Sequence, residues 1–501
     1  MKNQSFYLFY LIIFISLLFI QCQNSMEKNM VLYPAADDPT ISFRIWIKAG
    51  SQNDPDRKEG LAALTAAMLS EGGTQKHSYK EILNLLYPMA AEIQAQVDKE
   101  MTIFSGRIHR DNLAAYSEIF KEVLLLPAFN EQDFIRVKTD RINYIENSLR
   151  YANDEELGKA ALSEFIFSGT AYEHLTTGRL NDLKGIELED VKTFYNTYYN
   201  RNNVVTGLGG GFSSQFASQL AANLKNLPDG NAAIAPPVEV LKIDGIEVKI
   251  VEKEAAATAI SFGFPIDVLR GQPDYYALAV ANSWLGEHRN SSSHLYGVIR
   301  EARGLNYGDY SYIEHFPNGG FLQFPPANVA RRQQLFEIWI RPVPNQSRFF
   351  AFRAALRELQ KLVDNGMSEE EFELTRKFLK NYILHYAPTT MMKLGYAIDD
   401  RFYNISGSHL EIFKQELDKL TRQQVNEAIK QHLQYQNLKV VFVTSQAAEL
   451  KEMLINNSPS PIEYPAPKPE NILKEDLEIS TYPLQIKADN VTILPVQKMF
   501  E

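Results

Sequence analysis

Residues 41–49 alternate, with Ile41, Phe43, Ile45 and Ile47 on one side and Ser42, Arg44, Trp46 and Lys48 on the other. A period of two predicts a strand with one buried face and one wet face. The polar turn 50–60 follows, after which Leu61, Leu64, Ala67 and Met68 recur at helical spacing until Gly72 and Gly73 supply a stop. Amphipathic patterns then predict helices over 80–86, 111–125, 130–149 and 154–167, with a further strand over 101–108. Near residue 245 the opening order begins again. Ile260, Ser261 and Phe262 echo Ile41, Ser42 and Phe43 at an offset of 219, and an apolar helix over 275–285 follows. The repeated order predicts a duplication.

The boundary between the copies is expected in 227–237, where Pro, Asp, Gly, Asn and Ala collect without periodicity. Later helices are predicted over 348–365, 368–384 and 422–433. Ser368 with Glu371 forms a capping box for the second of these, and Val440 to Val443 reads as a short buried strand. Gly209 to Gly211 follow an apolar run and read as a strand-ending turn, without the spacing of a phosphate loop. The fold class is therefore α+β, with two homologous halves, each an antiparallel-rich sheet packed with helices. The divisions are a leader (1–22), a linker (23–40), an N-terminal domain (41–230), a C-terminal domain (238–450) and a tail (451–501). Clustered prolines predict that this tail is an extended arm with little core.

Composition narrows the function classes. Hydrophobic residues are 45% and charged residues 22% of the 501, as in an ordinary globular chain. The formal charge of -10 offers no basic stripe for phosphates, so nucleic acid is not an expected partner. The single cysteine excludes an internal disulfide, cysteine-rich zinc sites and iron–sulfur clusters. That cysteine, Cys22, follows an apolar run over 6–20 whose leader carries only Lys2 as a charge. The run is short for a membrane span but suits the apolar region of an export signal. A cysteine at this place resembles the lipidation site of bacterial lipoproteins, although Phe19 and Gln21 depart from the usual pattern. An ordinary cleaved signal and an uncleaved anchor are the alternatives. All three place the mature chain outside the cytoplasm, as a periplasmic or outer-membrane protein, soluble after about Asn24.

Three passages carry a family resemblance: IWIKAGSQNDPDRKEG over 45–60, GLAALTAAMLSEGGT over 60–74, and LYGVIREARGLNYGDYSY over 295–312. Together they resemble the insulinase/pitrilysin family of zinc metallopeptidases, in its processing-peptidase-like branch, over about residues 41–444. The resemblance implies a clamshell half built of two similar domains. It also implies H-x-x-E-H on the first helix, two His binding zinc and the Glu activating water. Here the window reads Ala63, Leu64, Thr65, Ala66, Ala67. Alanine has no lone pair for a metal and no group to accept a proton, so no metal site is expected in this chain. The nine histidines include no pair three or four apart on a predicted helix. Glu146, near the family's third ligand, is expected on a wet helix face; Glu71 and His77 read as surface residues.

Arg300 and Tyr307 match the Arg and Tyr with which family members contact substrate across a closed chamber. A guanidinium and a phenol can both donate hydrogen bonds to a peptide carbonyl or its developing oxyanion. The resemblance thus implies a non-catalytic, substrate-contacting subunit, inert alone, whose zinc-bearing homologous partner holds the metal and cuts a peptide. The alternatives are a binding or scaffold protein with no role in proteolysis, and a metallopeptidase with unconventional ligands.

Overall fold

A computed structural model describes residues 29–317 and 322–501. Cys22 and the apolar leader lie outside the described residues. The first sheet holds β1 (Met30–Pro34), β2 (Thr40–Ile47), β3 (Gln94–Val97), β4 (Thr102–His109) and β5 (Val204–Gly210), in the order β1-β5-β2-β4-β3. The second holds β6 (Ile246–Glu252), β7 (Ala257–Ile266), β8 (Asp309–Tyr312), β9 (Gln334–Pro344), β10 (Leu438–Thr444) and β11 (Val491–Pro495), in the order β11-β6-β10-β7-β9-β8. Without β11 the two orders are the same. Within that shared order β1/β5 and β6/β10 are parallel and the remaining pairs antiparallel, and β11 adds to β6 in parallel. Phe43 stands opposite Leu208 on β5, and Phe262 opposite Val440 on β10, so the offset of 219 marks equivalent places.

Eight helices accompany the first sheet among the described residues: α1 (Leu61–Ser70), α2 (Tyr79–Leu86), α3 (Leu113–Leu125), α4 (Glu131–Asn143), α5 (Asp154–Ile166), α6 (Leu180–Gly185), α7 (Leu188–Tyr198) and α8 (Ser214–Leu224). The second half carries α9 (Pro273–Gly286), α10 (Arg348–Asn365), α11 (Glu369–Tyr382), α12 (Thr390–Phe402), α13 (His409–Lys419), α14 (Arg422–His432) and α15 (Ala447–Ile455). The capping box of Ser368 and Glu371 opens α11 as the sequence predicts. The apolar face of β2 meets these helices directly: the Phe43 ring lies 5.4 Å from Tyr116, 5.1 Å from Phe120 and 6.0 Å from Phe216, centroid to centroid.

The other face of β2 is not wet. Ser42 and Trp46 are buried because α12, from the second half, crosses the back of the first sheet over β1, β5 and β2. Trp46 packs there with Ile398 and Phe402. The helix fits because β5 offers glycine: a Cβ on Gly209 would stand 3.0 Å from the Thr390 methyl, and one on Gly207 3.0 Å from Ile398. Gly209 and Gly210 therefore belong to a strand covered by a helix, and only Gly211 lies beyond it. The exchange is reciprocal. Helix α5 of the first half lies over β7, β10 and β9, where Gly158 faces Ser261 and Val443.

Three further departures follow from long-range contacts. Residues 30–34, expected as linker, pair with β5 as a parallel strand. The helix expected over 130–149 ends as α-helix at Asn143 and continues as a π-wound segment, Tyr144–Ala152. The tail is not an extended arm: it forms helix α16 (Glu470–Ser480), adds β11 to the second sheet, and buries Val496, Met499 and Phe500 in the first half's core. Residues 228–244, between the halves, have no regular secondary structure. No helix among the described residues is long and apolar enough to cross a membrane.

Candidate functional site

Helix α1 begins where Asp54 accepts from the backbone N–H groups of Gly60 and Ala62, both at 2.7 Å, while the His174 ring stands 3.0 Å from the same carboxylate. Gly60 takes a φ of 98°, which its lack of a Cβ allows. Most of the helix is buried, and Ala63, Ala66, Ala67 and Ser70 line an open cleft of about 280 Å³ beside β3. Glu71, Arg141, Tyr144, Thr176 and Thr177 complete the cleft. Three methyl groups thus occupy the helix face where nitrogen and oxygen donors would have to converge. The one carboxylate on the rim, Glu71, is ion-paired with Arg141. A zinc site needs three or four nitrogen, sulfur or oxygen ligands, so these residues do not fit the metal. Among the described residues no group of three or more His, Cys, Asp or Glu could hold one.

Glu146 faces away from the cleft and accepts from Lys184 Nζ at 2.9 Å. Tyr144 lines the cleft instead. Its helix is π-wound, so the face extrapolated from the α-helical period is displaced. No sequence signal marked Arg141 or Tyr144 as lining residues. His77 contacts Glu122 at 2.9 Å and is not a cleft residue.

A second cavity, about 460 Å³, shares Val97, Tyr144, Thr176 and Thr177 with the cleft and runs between the halves. Its polar wall is a seam. The turn after β3 carries Asp98, Lys99 and Glu100, and the approach to β9 carries Arg331 and Arg332. Arg331 donates to both Asp98 carboxylate oxygens at 2.8 and 2.6 Å, and Arg332 donates to Glu100 at 2.6 Å. Burial opposes ionisation of Asp98, but the Arg331 guanidinium holds its carboxyl below the usual range. Burial, reinforced by Arg331, pushes the Lys99 ammonium down to about 7, and Lys99 donates to the His174 carbonyl. The same two causes push His315 down to about 3.

Arg300 and Tyr307 lie elsewhere and line neither cavity. Arg300 sits on a π-wound segment, Tyr296–Glu301, and a turn through Gly304 (φ 71°) returns the chain so that the guanidinium lies 5.1 Å from the Tyr307 ring centre. Tyr307 is 77% exposed, so its ring is not core. Among the described residues neither side chain has a hydrogen-bond or ion-pair partner, which leaves the guanidinium and phenol donors free.

Two family models match the chain: "Insulinase (Peptidase family M16)" over residues 30–175 and "Peptidase M16 inactive domain" over residues 185–379. The chain belongs to this family. Among curated insulinase-family relatives, "Non-peptidase homolog YmxG" of Helicobacter pylori is 23% identical, over 84% of this chain and 91% of its own length. "Uncharacterized zinc protease YmxG" of Bacillus subtilis is 20% identical, over 75% and 85%. The mitochondrial-processing peptidase subunit beta of Dictyostelium discoideum is 21% identical, over about half of each chain (49% and 52%). A solved peptidase M16 inactive domain from Pseudomonas fluorescens superposes with a TM-score of 0.73 at 23% identity, over 83% of this chain and 95% of that one. The protein therefore has the insulinase fold in two halves with the family's metal-binding helix emptied of ligands, a non-catalytic homologue.

Proposed function

We propose that this protein is the substrate-contacting, non-catalytic subunit of a heteromeric zinc peptidase outside the cytoplasm. A homologous partner supplies the metal and the general base, and Arg300 and Tyr307 of this chain reach the peptide bound there. The observation that carries the reading is the free pair of donors on an exposed loop, in a chain whose own first helix presents only methyl groups. The two side chains touch each other and, among the described residues, no other polar partner, so their donors are open to a bound peptide. The processing-peptidase relatives are named as subunits, which supports the idea that such folds work in company. Attachment through a lipid on Cys22 would place the complex at a bacterial membrane, since the multiple acyl chains of a lipoprotein anchor stably where one would not.

The test is reconstitution with a zinc-bearing homologue from the same genome. This chain alone should cleave no peptide, the pair should, and Tyr307→Phe should impair turnover without impairing assembly by size-exclusion chromatography. If both Tyr307→Phe and Arg300→Ala assemble and cleave at the wild-type rate, the reading fails and a scaffold role replaces it. Separately, Cys22→Ser should release the protein from the membrane fraction; unchanged attachment would point to an uncleaved anchor.

A further inference from the structure

The tail packs against the loop that carries Arg300 and Tyr307. Between these two residues lies Arg303, buried, and its guanidinium donates to Asp476 at 2.8 Å and Glu475 at 2.8 Å, both on α16. Lys468 Nζ donates to the Ala302 carbonyl at 2.7 Å, and Tyr464 donates to the far oxygen of Asp476 at 2.8 Å. The third guanidinium nitrogen of Arg303 returns to its own loop, at the Val298 carbonyl, 2.8 Å away. The loop between the two donors is thus held by four bonds from one short stretch of tail or to its own backbone.

The tail is itself fixed at both ends. Where it leaves the second half, the fully buried Arg353 of α10 donates to the carbonyls of Ser458 (2.8 Å) and Ser480 (2.7 Å), closing the segment 458–480 into a loop around α16. Beyond that, β11 pairs along β6, and the chain end enters the first half, where Arg150 Nε donates to the Met499 carbonyl at 3.0 Å and the Leu180 N–H to the Phe500 carbonyl at 2.9 Å. A segment that were only a trailing arm would bury no charged pair and would not span both cores.

We propose that residues 457–501 are a positioning strap, which holds the 296–308 loop, and with it Arg300 and Tyr307, in fixed register with both halves of the molecule. Arg303 and Asp476 are positioning residues: they touch no substrate and act through the loop. The functional meaning rests on the substrate-contact reading of Arg300 and Tyr307, but the mechanical coupling is measurable without it.

Hydrogen–deuterium exchange on the full chain tests the coupling. Asp476→Asn removes the charge that meets Arg303 and keeps the shape. The amides of Gly304 and Leu305, which donate to the Arg300 and Ile299 carbonyls, should then exchange about tenfold faster or more, while those of β9 and α10 keep their wild-type rates. Asp476→Glu, which restores the charge, should recover most of the protection. If exchange in 296–308 is unchanged, or if it rises only in step with the whole second half, the strap is wrong. Should Asp476→Asn not fold, Lys468→Met provides the same readout from the other contact. In the reconstituted peptidase, a loosened loop accompanied by wild-type turnover would leave the strap standing and bring down the substrate-contact reading instead.

Discussion

The helix after β2 in the first half presents Ala63, Ala66 and Ala67 to an open cleft. Its counterpart in the second half, α9 after β7, packs against α11 and α14, and the unpartnered Arg300 and Tyr307 lie on the segment that follows. The same sheet order thus supports two different outcomes. In the first half the family's metal-ligand positions carry methyl groups that line a cleft; in the second, half-buried Arg300 and exposed Tyr307 stand on a loop against which the tail is folded. Alanine at these places suits the helix, because it is a good helix former and Ala66 and Ala67 are themselves buried. The loop that carries the two donors is bonded to the tail through Arg303, Asp476, Glu475 and Lys468.

The halves are also joined differently from how a linker alone would join them, and the largest effect should come from breaking that seam. Asp98→Ala leaves the Arg331 guanidinium, 2% exposed, without its carboxylate. Removing one partner of a buried pair costs about 3–5 kcal/mol, so urea unfolding should show a midpoint far below wild type. A loss under about 1 kcal/mol would mean that the seam does not hold the halves. Next comes Tyr307→Phe in the reconstituted pair: one donor lost from a developing oxyanion costs about 10² to 10³ in rate, against less than about tenfold for a hydroxyl that meets only water. Arg300→Ala should act in the same direction and also raise KM, because a guanidinium can hold the ground state as well.

A smaller effect separates the seam from both sites by its pH dependence. Burial pushes the Lys99 ammonium down to about 7 in the folded protein, from its ordinary value of about 10.5. Between those values the unfolded chain binds one proton more than the native one, so stability rises with pH, by about 1.4 kcal/mol per unit at most. The rise begins near pH 7, where folded Lys99 loses its proton. Equilibrium unfolding at pH 7, 8 and 9 should show that slope in the wild type and a flatter one in Lys99→Met. An equal slope in both proteins would remove Lys99 as its source.

The smallest effects contrast the two crossing helices. A Cβ on Gly207 would meet the Arg44 carbonyl oxygen at 2.7 Å, a backbone atom that cannot turn aside. Gly207→Ala should therefore cost about 1–3 kcal/mol. On α5, a Cβ on Gly158 would meet the Ser261 hydroxyl at 3.3 Å and a Val443 methyl at 3.6 Å. Here the gain of about 1 kcal/mol in helix propensity should offset the crowding, leaving Gly158→Ala within about 1 kcal/mol of wild type. Thermal melts of the two variants measure how differently β5, crowded by β2 and α12, and α5 tolerate an added methyl.

Much of this was legible along the chain. The strand at β2, the helix at α1, the capping box at Ser368 and the repeat at an offset of 219 all rest on spacings of a few residues, which the backbone enforces locally. The absence of the metal motif was legible for the same reason: its ligands would stand one helical turn apart, so Ala63 and Ala67 dispose of them without any tertiary information. The rest depends on partners far away in the chain. Ser42 and Trp46 read as a wet face until α12, some 350 residues later, covers them. That Tyr144 lines the cleft has no local signal; it follows from where the segment after Asn143 packs. The prolines of the tail predicted an arm, since no local pattern shows that Arg303 will meet Asp476 across 173 positions or that Phe500 will enter the first core. Hydrophobic period states which face seeks burial; what buries it, and which charges meet there, is decided only when the halves close on each other.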